Sequence, residues 1–366
     1  MTQNSQDNRL LSLDVFRGFD MMFIMGVEGI IIAVCNLFPG GENALLARNM
    51  YHVDWHGLYF MDTIFPTFLF IAGISFPFSY AKQLSRGSTL SMVYRKIFRR
   101  AALLLLLGFL YNGLLEGGFD NPRYCSVLGR IGLAWMVAAL LYINLSTRQR
   151  VLTAALLLTG YWLLVRFVSA PDSAGADPLS LEGNIVGYVD RMLMPGHLYL
   201  DIFDPEGLLG IIPATVTAMT GMFTGEFVRS KYQHKVPTML FAAVIMLAVG
   251  MLWSLDFPIN KNLWSSSFVL VVGAYSLAMF SLSYWLFDVR KWRRWTLFFQ
   301  VIGMNSITIY LLQRIVDMGS VSRFFLGSLS KLLPDTSAAL LLAIGYVTVS
   351  WLVLYFLYTK KVFLKV

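Results

Sequence analysis

The chain has 366 residues, 57% of them hydrophobic and 14% charged, with a net charge of +8. That balance excludes an ordinary soluble enzyme: apolar runs of bilayer-spanning length recur from end to end, so the chain reads as an all-α polytopic protein of the lipid bilayer. The positive charge is then a matter of topology, and no nucleic acid is needed to account for it. Cys35 and Cys125 have neither disulfide nor metal-ligand spacing, so no metal is expected. No phosphate-binding glycine loop, dinucleotide fingerprint or serine elbow appears.

Taken in order, apolar runs near 13–37, 58–80, 97–115, 126–145, 151–170, 208–228, 237–254, 264–286, 296–316 and 338–358 predict about ten transmembrane helices in a single domain covering 1–366. The first is expected to serve as an uncleaved signal anchor. With the N-terminus inside, the cytoplasmic segments collect 19 of the 29 Lys and Arg residues, from Arg9 to Lys365, which places both termini in the cytoplasm. The longer loops at 38–57, 116–125, 171–207, 255–263 and 317–337 then lie outside, where their length predicts a folded cap over the bundle.

The span near 58–80 carries Asp62, an acid inside a membrane helix, and such groups usually face a polar cavity. His52 precedes it by ten residues, about 15 Å along an unbroken helix, so the two meet only if the lead-in folds back, and Gly57 offers the turn. A carboxylate holding one imidazole nitrogen leaves the other to remove a proton. Pro66 and Pro77 are expected to kink the span and open a cavity. Glu28 lies about 21 Å into the first span and is expected to face the same cavity, with a structural pairing to a buried base such as Arg130 as the alternative. His56, Asn260 and Lys261 fall at the outer ends of spans, where they could bind hydroxyls or a carboxylate, or mark the interface beside Trp264. Asp204 and Glu206, in Asp204-Pro205-Glu206-Gly207, also read as the start of a helix. Asn305 and Gln313 are polar positions of the ninth span, suited to joining helices or to a ligand. Arg99 and Arg100 end the densest basic run, a place for a polyphosphate or for anionic lipid.

Several segments in one order, SLDVFRG at 12–18, HVDWHGLYFMDTIFP from His52 to Pro66, VLGRIG at 127–132, GYVDRMLMPGHLY at 187–199, DPEGLLG at 204–210, NKNLWSSSF at 260–268 and GMNSI at 303–307, resemble the transmembrane acyltransferase family of the heparan-α-glucosaminide N-acetyltransferases. The resemblance implies acetyl transfer from cytoplasmic acetyl-CoA to the amine of a glucosamine-containing saccharide on the other side. His52 matches the family's catalytic histidine and Asp62 its acid. It further implies a homodimer and, lacking the large lumenal segment of animal members, a bacterial form in the inner membrane. Animal members have Asn at the positions of Glu28 and His56 and His at that of Gln313, and they lack the insert near Val34–Asn49, so acceptor choice is expected to differ. An O-acyltransferase of envelope glycans, a proton-coupled sugar or acid transporter using Glu28 and Asp62, and a purely structural subunit are the competing readings.

Overall fold

A computed structural model describes residues 10–115, 118–173 and 175–364. Arg9 and Lys365, counted above among the cytoplasmic basic residues, lie outside the described residues. Among those described, nine helices are long and apolar enough to cross a membrane, or ten if one bent pair counts as a span. No β-sheet forms among them; Ser169 and Asn184 share only an isolated bridge. The helices group into two compact units, one of residues up to Glu42 together with Ala278–Leu364, the other of Asn43–Leu277.

In the first unit, α1 (Leu11–Cys35) passes through a π-turn at Phe23–Val27, where Gly26 has φ 121°. A Cβ there would lie 2.7 Å from the Tyr346 ring, so glycine answers both the backbone angle and the close approach. The backbone N–H groups of Leu11 and Ser12 donate to the Asp288 carboxylate at 3.2 and 3.1 Å, which seats an acid at the positive end of the helix. Asp14 and Arg17 stand 3.9 Å apart, the local pair their spacing predicts.

The second unit contains α2 (Met61–Ser85), α3 (Leu90–Leu114), α4 (Val127–Asn144), α5 (Thr147–Phe167), the short α6 (Ile185–Leu193), α7 (Ile211–Arg229) and α8 (Lys235–Trp253). α9 (Ser266–Val289) begins in it. α2 and α7 pack backbone to backbone: a Cβ on Gly73 would lie 2.2 Å from the Ala218 carbonyl oxygen, and one on Gly221 would lie 2.1 Å from that of Phe70. Small residues permit this approach, and lipid-embedded helices associate through such packing. α2 runs unbroken through Pro66 and Pro77 rather than ending at either. α3 starts at Leu90, seven residues before the predicted span, so the basic run from Arg95 to Arg100 is helical. The Ser126 hydroxyl caps α4 by accepting from Gly129 N at 3.0 Å.

At the end of this unit where α2 begins, the loops fold on a core of their own, formed by Tyr161, Val165, Leu179, Val186, Phe203, Phe257 and Leu263. Trp55 pins the lead-in to it by donating from Nε1 to the Leu179 carbonyl at 2.7 Å. The first unit closes with α10 (Thr296–Met304), α11 (Ser306–Ile315), α12 (Met318–Ser330) and α13 (Asp335–Thr359). α10 and α11 replace the single ninth span of the sequence reading: they meet at Asn305 with a 68° bend.

Candidate active site

The lead-in to α2 does fold back. Gly57 has φ 122° and its N–H donates to the Ile259 carbonyl at 2.8 Å, which turns the chain and joins it to the loop before α9. His52 Nδ1 thereby reaches Asp62 Oδ1 at 2.7 Å. Asp62 is fully buried, yet Tyr59 N donates to its Oδ2 at 2.9 Å and Val53 N at 3.4 Å. Its place in the first turn of α2 adds the favourable helix dipole. With Nδ1–H given to the carboxylate, the lone pair of His52 is on Nε2, on a side chain 55% exposed. His52 lines a cavity of about 560 Å³ together with Arg48, Tyr51, Trp55, His56 and Tyr59.

The turn Asn260–Trp264 brings a third group. Lys261 Nζ lies 3.0 Å from His52 Nδ1, 3.4 Å from Nε2 and 3.4 Å from Asp62 Oδ1. Burial lowers the Lys261 pKa, with Asp62 and Glu206 acting in the opposite sense. The turn holds Trp264 at φ 53°, costly for a bulky side chain. The Trp264 indole donates to Thr217 Oγ1 at 3.1 Å, and its ring meets Phe65 edge-on at 5.1 Å. Asn260 is consumed largely by the turn, its Oδ1 accepting from Leu263 N at 2.8 Å. Its amide also donates to His56 Nδ1 at 3.3 Å, which places the proton of neutral His56 on Nε2. Burial lowers the His56 pKa, against the influence of Asp177.

Asp204 and Glu206 are not helix-start residues, since α7 begins at Ile211. Asp204 is fully buried and takes both Nε and a terminal nitrogen of Arg123 at 2.7 Å, while Glu206 shares that terminal nitrogen. The burial of Arg123 disfavours its charge, but the two carboxylates outweigh that and hold it cationic, with the pKa pushed further up. The partners of Arg123 are 81 and 83 residues away, a pairing no local pattern announces. Nearby, burial raises the Asp190 pKa to about 7, although Leu208 N donates to its Oδ1 at 2.9 Å. Burial likewise raises the Cys125 thiol, leaving it an inert apolar group. Arg130 donates to the Gly207 carbonyl at 3.2 Å and lies 5.1 Å over the Trp264 ring.

At the opposite end of α2, about 26 Å away along the helix, Arg99 and Arg100 line a cavity of about 400 Å³ together with Lys96, Ser75, Ser79, Gln83 and Trp135. Lys96, Arg99, Arg100 and Leu103 follow the helical i, i+3, i+4, i+7 pattern and so share a face. Arg100 sits 4.2 Å over the Trp135 ring. Cations beside a flat aromatic wall suit a phosphorylated nucleotide.

Glu28, Asn305 and Gln313 belong to the other unit. Glu28 follows the π-turn of α1, and its buried Oε2 has no hydrogen-bond donor among the described residues. Asn305 turns its amide back to the Val301 carbonyl at 2.9 Å, and Gln313 donates to the Tyr346 hydroxyl at 2.8 Å.

No protein-family model matches the chain. It is 28% identical to the heparan-alpha-glucosaminide N-acetyltransferase of Mus musculus over an aligned length of 432 residues, covering 100% of this chain and 62% of that protein. To the protein of the same name from Homo sapiens it is 27% identical over 426 residues, covering 98% of this chain and 60% of that protein. The chain thus spans about three fifths of the length of these curated relatives.

Proposed function

We propose, from the premise that the chain is a distant relative of the heparan-alpha-glucosaminide N-acetyltransferases along its whole length, that it is a transmembrane N-acetyltransferase. It moves acetyl from acetyl-CoA to the amine of a glucosamine-type sugar. The observation that carries this reading is the His52–Asp62 pair at 2.7 Å on the wall of the 560 Å³ cavity. In a direct transfer the amine nitrogen attacks the thioester carbonyl, the C–N bond forms and the C–S bond breaks. Nε2 takes the amine proton, and the CoA sulfur leaves as thiolate to be protonated. In a two-step transfer Nε2 attacks the thioester carbonyl and the CoA sulfur leaves as thiolate; the amine then attacks the acetyl-imidazole, whose C–N bond breaks to return the imidazole, and Nε2 takes the amine proton.

The nucleotide of CoA would dock on Arg99 and Arg100, and its arm would reach along the unit towards His52. The backbone contact of α2 with α7 at Gly73 and Gly221 blocks the line between those two helices, so the arm passes beside it. Water kept from the thioester would limit wasteful hydrolysis. Cytoplasmic termini, a bacterial inner membrane, a homodimer and an acceptor of heparan type complete the proposal, with Glu28, His56 and Gln313 as the positions that tune acceptor choice.

The test is full-length protein in detergent with radiolabelled acetyl-CoA, with and without glucosamine. Label in the sugar that is lost on His52→Ala supports the proposal, and label on the protein without sugar identifies an acetyl-histidine route. Intact acetyl-CoA in every tube overturns it and favours transport, to be measured as uptake of labelled sugar.

A further inference from the structure

Lys261 stands in an unusual place for a surface-loop lysine. Its Nζ is 3.0 Å from one imidazole nitrogen of His52 and 3.4 Å from the other, and it shares Asp62 Oδ1 with the imidazole. The lysine side chain is only 17% exposed and Asp62 is fully buried, so water screens these two weakly, while the His52 side chain, 55% exposed, meets solvent on its far side. An ammonium and an imidazolium with nitrogens this close repel strongly, and one buried carboxylate balances only one of them.

The other charged and titratable groups around the pair do not relieve this. Glu206 favours the Lys261 cation and Arg130 opposes it. Glu206 is already paired with Arg123. On the cavity side, Arg48, Tyr51, Asp54, His56 and Tyr59 line the space beside His52. Of these, Arg48 donates to the Tyr59 hydroxyl at 2.9 Å. Among the described residues, Asp62 is the carboxylate within ion-pair distance of His52 and Lys261, and Asp54 forms no ion pair with either.

We propose that Lys261 and His52 hold a single positive charge between them, opposite the single negative charge of Asp62, so that Lys261 sets when His52 is free to take a proton. Lys261 is a positioning residue acting through His52. A cationic Lys261 keeps His52 neutral, with Nε2 open. When Nε2 takes a proton, the Nδ1 proton faces Nζ and Asp62, and the cationic lysine releases one proton to solvent, so that the pair again carries one positive charge. The charge sharing stands on the geometry alone; its use in acetyl transfer rests on the function proposed above.

The sign of the test follows from repulsion. Removing the cation lets His52 protonate more easily, so its titration moves to higher pH. In full-length protein with labelled histidines, the His52 resonance, assigned by its loss in His52→Gln, is titrated in wild type, Lys261→Met and Lys261→Arg. Lys261→Met should raise the His52 midpoint by about one pH unit, while Lys261→Arg, whose cation is permanent, should leave it at or below the wild-type value. Lys261→Gln is the second neutral variant if Met disturbs folding. In the acetyl-transfer assay, the acidic limb of kcat/KM should move up in the neutral variants, and Lys261→Arg should lose about a hundredfold in rate without that shift. The same His52 midpoint in wild type and both neutral variants overturns the proposal, as does full activity of Lys261→Arg. A shifted midpoint with no acetyl transfer by any of the proteins supports the charge sharing and removes the acetyltransferase reading instead.

Discussion

Asp62 occupies the position in a membrane helix where a carboxylate is cheapest to keep. At mid-helix an acid costs roughly 3 kcal/mol on insertion scales. Here it sits in the first turn with two backbone donors, an imidazole and an ammonium around it. Asp62→Asn should therefore affect chemistry more than folding, because the amide still accepts from Tyr59 N but no longer balances a protonated His52. Acetyl transfer is expected to fall by about a hundredfold or more, measured as kcat/KM at unchanged detergent Tm; a near-wild-type rate would show that the pair is not the acid–base unit. Asp190 gives a stability prediction. Its folded pKa of about 7 is above the ordinary carboxylate range because of burial. Between that range and pH 7 the native chain holds a proton that the unfolded chain has released. Its contribution is full below the ordinary range and is lost as pH rises through 7. Asp190→Asn should flatten the fall in Tm over that window, and an unchanged slope would assign the fall to other groups.

At the scale of elements, the backbone contact of α2 with α7 constrains the helix that carries Asp62. A Cβ on Gly221 would come within 2.1 Å of the Phe70 carbonyl and one on Gly225 within 2.4 Å of that of Ile74, so neither helix can yield without moving the other. Gly221→Leu should cost about 1–3 kcal/mol by overpacking. Because α2 carries Asp62, the variant should also lose acetyl transfer; the check is Tm and rate together, and a variant with full stability would show the crossing to be looser than its geometry. The turn ending at Trp264 works similarly. Its left-handed backbone is held by packing and the Thr217 hydrogen bond, and this is what aims Lys261 at His52.

Across the whole molecule, the proposed function needs two sites about 26 Å apart along α2, one for a nucleotide and one for an acceptor. This separation makes their variants distinguishable. Arg99→Gln with Arg100→Gln should weaken acetyl-CoA binding at least about tenfold, since each charged contact to phosphate is worth roughly 1.5–3 kcal/mol. The acceptor KM should stay unchanged, and equal acetyl-CoA affinity in the double variant would move the nucleotide elsewhere. Changes at His56 should show the opposite split.

The sequence by itself determined the all-helical membrane class and the approximate number of spans, because span-length hydrophobicity is a local property of the chain. It also singled out His52 with Asp62, since an acid inside an apolar run stands out and a glycine between the two permits the return. The bend at Asn305 and the helical extension back to Leu90 depend on which neighbours satisfy the backbone, which periodicity does not express. The placement of Lys261 beside His52 and the pairing of Arg123 with Asp204 and Glu206 were decided by tertiary structure alone. Those partners are separated by 209, 81 and 83 residues, and only packing of the loops on their own core brings such distant charges into one low-dielectric site.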